Sequence, residues 1–166
     1  MIIINNSIQL KNFGKYKLVT SLNTFDNKHE PIFVSTIKEN NKFKTILINN
    51  KNNLVGINSF KIQGNTFNGC NMNALLNNNK HTGLGEIMRL ISIIDMIENN
   101  LQKIQIFSLS KATPFHLKYK FKPINYQTEK LNFNKDLPME LTIQDIKANK
   151  TFFNTLFAKH KINYRI

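Results

Sequence analysis

Short runs rich in β-branched and aromatic residues fill the first half of the chain and predict strands. They cover Ile8–Leu10, Tyr16–Leu22, Ile32–Ile37, Lys44–Ile48, Leu54–Ile62 and Thr66–Leu76. Asn49-Asn50-Lys51-Asn52-Asn53 supplies the turn-prone residues of a hairpin connection, and Asn77-Asn78-Asn79 follows the last strand of the series. No segment before Lys80 holds a long helical period. The period changes at Gly85. From there to Leu101, the residues Ile87, Leu90, Ile91, Ile94, Ile97 and Leu101 recur at helical spacing. Glu86, Arg89, Ser92 and Asp95 form the opposite stripe, so the pattern predicts a helix with one buried and one wet face. Asn99-Asn100 ends it, and Ile104–Leu109 reads as a compact strand. Thr113 as N-cap and Pro114 in the first turn predict a short helix to about Lys120, with Pro123 marking its exit. Lys130–Phe133 and Met139–Leu141 look like strands, and Thr142 with Asp145 resembles a capping pair before a last helix through about His160. The Phe152-Phe153, Leu156-Phe157 cluster is its core face or, alternatively, a homodimer surface.

Strand, helix, strand, helix, strand after Thr66 predicts an α/β (α+β) layer with at least one parallel strand pair. With no internal repeat and no clear linker, residues 1–166 are expected to form a single domain.

Composition narrows the classes without choosing among them. Hydrophobic residues at 41% and charged residues at 20% suit a globular chain, not a disordered one. No apolar run is long enough for a bilayer, and Met1-Ile-Ile-Ile-Asn-Asn lacks the features of a secretory signal. A cytoplasmic protein with no membrane association is therefore expected. The one cysteine, Cys70, excludes an internal disulfide and reads as a small buried side chain. A net charge of +13 invites a nucleic-acid partner through a basic surface. However, only Arg89 and Arg165 among the 23 basic residues are arginine, the residue suited to bidentate phosphate and base contacts. The lysines are scattered, and their abundance with Asn, Ile and Phe is what an AT-rich coding sequence produces. His29, His81, His116 and His160 show no metal-ligand spacing; His29 and His160 read as surface residues and His81 as facing solvent.

The informative stretch is Leu75-Leu76-Asn-Asn-Asn-Lys80-His81-Thr82-Gly83-Leu84-Gly85-Glu86, where a strand passes through a glycine loop into an amphipathic helix. Glycines permit close backbone approach, and the free N–H groups of a first helical turn attract an anion such as pyrophosphate. The second stretch, Ala112-Thr-Pro-Phe115-His116-Leu-Lys118-Tyr119-Lys120-Phe121-Lys122-Pro123, follows the next strand.

Together these stretches resemble the Gcn5-related N-acetyltransferase (GNAT) superfamily over residues 66–124. Lys80-x-x-Gly83-x-Gly85 is similar to its Arg/Gln-x-x-Gly-x-Gly/Ala motif. Ala112, Phe115, Phe121 and Pro123 match its Ala-x-x-Phe-Tyr-x-x-x-Gly-Phe-x-Pro motif without a gap. The resemblance implies a mixed, mostly antiparallel central sheet with helices on both faces, acetyl-CoA as co-substrate and no metal. It implies that Lys80, His81, Thr82, Gly83, Leu84, Gly85 and Glu86 hold the pyrophosphate, chiefly through backbone amides. Leu75 and Leu76 would pair with the pantetheine arm, and Phe115 on the second helix would flank the thiol. The implied activity is an N-acetyltransferase, a transferase acting on the primary amine of a protein, an aminoacyl-tRNA or a small molecule.

Departures from the motifs bear on activity. His116 stands where the family often has a tyrosine acid, and Tyr119, one turn on, is the substitute candidate. Lys120 replaces a capping glycine, and Leu109 an asparagine that contacts the cofactor. The strand before the glycine loop offers Asn71 and Asn73 but no carboxylate to act as base. The two helices the family places in the first 60 residues have no counterpart in the pattern. Two alternatives follow: a catalytically inactive GNAT-like module that binds CoA or a partner, and a basic nucleic-acid-binding α/β domain.

Overall fold

The computed structural model describes residues 16–75, 81–124 and 135–166. The strands expected at Ile8–Leu10 and Lys130–Phe133, and the candidates Leu76 and Lys80, lie outside these residues. The described chain runs β1 (Lys17–Phe25), β2 (Pro31–Glu39), β3 (Lys42–Asn49), β4 (Leu54–Gln63), β5 (Thr66–Ala74), α1 (Leu84–Glu98) and β6 (Lys103–Ser108). A 3-10 turn at Ser110–Ala112 leads into α2 (Thr113–Lys118), β7 (Lys122–Pro123), β8 (Leu137–Thr142), α3 (Ile143–Ala148) and α4 (Lys150–Lys159). The strands form one sheet ordered β1-β2-β3-β4-β5-β6-β8-β7. Every neighbouring pair is antiparallel except β5 and β6, which α1 joins as a crossover. No described helix is long and apolar enough to cross a membrane.

The described asparagine-rich stretches, at residues 40–41 and 49–53, are turns of this sheet, and Asn77-Asn78-Asn79 lies outside the described residues. Asn40 (φ 52°) and Asn52 (φ 62°) adopt left-handed conformations that asparagine tolerates better than most residues. The connections are tight. Residues 26–30 join β1 to β2 and residues 40–41 join β2 to β3, and no described helix precedes α1.

α1 is buried all round, which corrects the expectation of a wet face. Ile87, Leu90, Ile91 and Ile94 are fully buried, but so are Glu86 (4% exposed), Arg89 (1%), Ser92 (1%) and Asp95 (1%). The polar stripe meets polar groups instead of water. Asp95 accepts hydrogen bonds from Thr20 Oγ1 (2.6 Å) on β1 and Thr36 Oγ1 (2.9 Å) on β2. Burial of the apolar side chains contributes roughly 1.5–3 kcal/mol each.

Three further expectations change. The last helix is two, because Asn149 turns its Nδ2 onto the Asp145 carbonyl (2.8 Å) and its backbone (φ −112°) leaves helical geometry. Asn149 closes α3, which the expected Thr142–Asp145 capping box opens. Phe153 and Phe157 of α4 are fully buried in the core. Cys70 is exposed, not buried. Thr113 is the first residue of α2 after the cap Ala112, and its hydroxyl pairs with Ser108 Oγ at 3.0 Å.

Candidate functional site

β5 and β6 pair through Thr66↔Lys103, Phe67↔Ile104 and Asn68↔Gln105, and then diverge. Two local features build this fork. Against β4, Gly69 faces Phe60 and Asn71 faces Ser59, so Cys70 is an inserted residue and β5 bulges there. At the apex, a β-carbon on Gly69 would sit 2.8 Å from Ile106 Cγ2 and 3.2 Å from Phe60 Cε1. Glycine alone allows this approach. Beyond the apex β6 offers no ladder partner to the rest of β5, and Gly69–Met72 of that strand line a cleft of about 370 Å³. Asn58, Met72, Arg89, Leu109 and His116 are among its lining residues.

The glycine loop lies between the end of β5 and α1. Gly83 caps α1 in a left-handed conformation (φ 84°, ψ 10°) and no side chain caps the helix. The N–H groups of Leu84, Gly85 and Glu86 thus lack i−4 partners and carry the positive end of the helix dipole. The β1–β2 connection braces the loop. Asn27 N–H donates to the Thr82 carbonyl (2.9 Å), and a β-carbon on Gly83 would lie 2.7 Å from the Asn27 side chain. His81 Nδ1 lies 2.8 Å from Asp26 Oδ2, which corrects the solvent-facing reading of this histidine. Burial opposes ionisation of Asp26, but backbone N–H groups of Glu30 and Lys28 and the His81 ring hold its pKa below the ordinary value. Gly85 serves packing instead. A β-carbon there would touch the Phe115 ring at 3.2 Å, so this glycine lets α2 pack on α1. Leu75, at the end of β5, donates its N–H to the Val55 carbonyl at 2.9 Å.

The structure brings His116 to the cleft and Tyr119 to a different place. Tyr119 is 2% exposed, and its hydroxyl donates to Glu86 Oε2 at 2.5 Å. Burial and that carboxylate raise its pKa well above the ordinary value. Glu86 also accepts from Lys159 Nζ (2.6 Å) and lies 2.7 Å from His160 Nε2. Its side chain thus ties α1 to α2 and α4, while its backbone N–H is one of the three at the helix start without an i−4 partner. His160 is fully buried, with Nδ1 2.7 Å from the Phe25 carbonyl, and not a surface residue. His116 Nδ1 lies 3.3 Å from Arg89 Nη2. A guanidinium only donates, so Nδ1 accepts and the ring carries its proton on Nε2. Burial, with Arg89 adding to it, lowers the His116 pKa to about 4, and the imidazole is neutral at pH 7.

Sequence reasoning missed Arg89, the Asp26–Asn27 brace and His160. The only signal for Arg89 was its rarity, one of two arginines among 23 basic residues. Among the described residues, no group of three or more His, Cys, Asp or Glu side chains could hold a metal ion.

No protein-family model and no curated protein sequence matches the chain. Solved structures do. A GNAT-family acetyltransferase from Staphylococcus aureus shares 17% identity over 62% of this chain and 68% of its own, with a TM-score of 0.51. Tetrahymena Gcn5 shares 13% identity over 63% of this chain and 70% of its own, also with a TM-score of 0.51. The chain has the GNAT fold: a mixed, mostly antiparallel sheet with one forked parallel pair, crossed by the helix that follows the glycine loop.

Proposed function

We propose that the protein is an acyltransferase that binds acetyl-CoA, its pyrophosphate at residues 81–86 and its pantetheine arm in the β5–β6 fork, and acetylates a primary amine. The observation that carries this reading is the continuity of the two features. β5, whose edge β6 leaves unpaired beyond Asn68 and whose Gly69–Met72 line the cleft, leads in sequence into the uncapped start of α1. The helix start suits a dianionic pyrophosphate, and the strand edge suits the two amides of pantetheine. Bound there, acetyl-CoA supplies an activated acyl thioester.

The chain's own groups orient and polarise. The bulge at Cys70 takes a backbone amide out of the β4 ladder near the apex, and this amide would stabilise the negative charge that develops on the thioester oxygen. His116, neutral at pH 7 with a pKa of about 4, would hydrogen-bond the departing sulfur through Nε2–H without giving up that proton. As the C–N bond forms and the C–S bond breaks, the proton shed by the amine nitrogen would pass to the thiolate or to solvent. Tyr119, bound to Glu86, fixes the position of α2 and with it His116. Among the described residues no carboxylate lines the cleft, so the amine reacts in its free-base form and turnover rises with pH toward the amine's own pKa. A cleft lined in this way also favours a second reading, a CoA-binding module without turnover.

Calorimetric titration with acetyl-CoA separates these readings from their failure, with Thr82→Glu as the test variant. Thr82 is exposed, so the new carboxylate enters the proposed pyrophosphate site without strain. Saturable binding that the variant weakens at least tenfold, with an unchanged melting curve, supports the site. Acetylation of any member of an amine panel then selects the enzyme, and binding without turnover selects the module. No binding by the wild type overturns both.

A further inference from the structure

Arg89 is the one buried charged side chain among the described residues left with polar atoms that have no hydrogen-bond partner. Glu86 has Lys159, His160 and Tyr119; Asp26 has His81 and two backbone N–H groups; Asp95 has two threonine hydroxyls. Arg89 is 1% exposed and lines the cleft, yet its Nε and Nη1 have no hydrogen-bond partner. Nη2 reaches only a histidine nitrogen at 3.3 Å and the Met72 sulfur at 3.8 Å, and the Phe121 ring lies 4.5 Å from Cζ. Among the described residues no carboxylate lies within ion-pair distance. Burial lowers its pKa only to about 10, so the guanidinium stays charged at neutral pH. A charge withdrawn from water without a counter-ion is strongly unfavourable, and core positions on such a helix take leucine or methionine at no such cost.

We propose that Arg89 anchors a carboxylate subsite at the floor of the fork, so that the natural ligand carries a carboxylate close to the reacting centre. The proposal rests on the acyl-CoA reading of the same cleft. The acetyl methyl has nothing to offer a guanidinium, whereas a carboxylate matches its planar set of donors. Phe121 backs the guanidinium and His116 fixes one nitrogen, which leaves the remaining N–H groups for a ligand. Met72, half-buried and flexible, is the side chain that moves to admit it. No other described cation lines the cleft, so one negative charge fits where a phosphate dianion would be under-compensated. The carboxylate has two possible sources: a donor whose acyl group is a dicarboxylic acid joined at one end, or an amino acid as the acceptor.

The test compares wild type with Arg89→Met, an apolar replacement of similar length that should fold at least as stably. In the first arm, succinyl-CoA and acetyl-CoA are titrated calorimetrically. A tenfold or larger preference for succinyl-CoA that vanishes in the variant, with acetyl-CoA affinity retained, assigns the carboxylate to the donor. In the second arm, glycine and glycinamide compete as acceptors under saturating acetyl-CoA. A tenfold preference for glycine that the variant loses assigns it to the acceptor. Equal behaviour in both arms, while acetyl-CoA still binds, overturns the carboxylate subsite and leaves the acyl-CoA reading standing. Failure of every CoA thioester to bind overturns both.

Discussion

Two buried groups, Asp95 and His116, pull the pH dependence of stability in opposite directions, and single substitutions should separate them. Burial raises the Asp95 pKa from 3.8 to about 6 against the pull of the Thr20 and Thr36 hydroxyls. The folded state therefore binds its proton more tightly. The stabilisation is fully present below pH 4 and is lost as pH rises through 6. A rise of about two pH units, at about 1.4 kcal/mol each, makes this loss about 3 kcal/mol. For His116 the signs reverse. Its pKa falls from 6.5 to about 4, so its neutral burial stabilises above pH 6.5 and is lost on acidification, again by about 3 kcal/mol. The two slopes nearly cancel in the wild type between pH 4 and 6.5. Asp95→Asn keeps both threonine contacts, accepting from one hydroxyl and donating to the other, and removes the first slope. His116→Gln retains an acceptor for Arg89 and removes the second. Urea denaturation from pH 4 to 7.5 is the assay. Relative to wild type, Asp95→Asn should gain about 3 kcal/mol as pH rises, and His116→Gln should gain a similar amount as pH falls. Parallel curves for all three proteins would refute the assignment of these shifts to burial.

Other consequences concern the joints around the cleft. Glu86→Ala strands the Tyr119 hydroxyl and the His160 ring, so thermal denaturation should show a loss of about 3 kcal/mol. Lys120 takes the left-handed conformation (φ 69°) of the glycine it replaces, at a strain of about 1 kcal/mol. Lys120→Gly should recover roughly half of that, because its ammonium also sits 4.6 Å from the Phe152 ring centroid. Urea melts at neutral pH measure this gain, and a loss would show that the ring contact outweighs the strain.

Much of the frame was legible in the sequence because it depends on local patterns. Runs of β-branched and aromatic residues marked the strands, the switch to a helical period at Gly85 marked the crossover, and the glycines marked the loop that opens into it. What escaped depends on partners distant in sequence. The 3.6-residue period groups Glu86, Arg89, Ser92 and Asp95 on one stripe, but not what the stripe meets. Thr20 precedes Asp95 by 75 residues, and His160 follows Glu86 by 74. The bulge at Cys70 is likewise a property of the register against β4, which β5 alone does not specify. His81 could be read as a loop residue only until the β1–β2 connection brought Asp26 beside it. Tyr119 directly follows the helix that carries His116, yet its hydroxyl reaches Glu86 and does not line the cleft.

Amide NMR of the full chain titrated with acetyl-CoA tests the central claim most directly. The largest shifts are expected at the N–H groups of residues 81–86 and along 69–74 of β5, with the His116 ring responding. Shifts confined to another surface, such as the lysine-flanked hollow over Phe43 and Phe60, or no shifts at all, would contradict the assignment of this cleft as the acyl-CoA site.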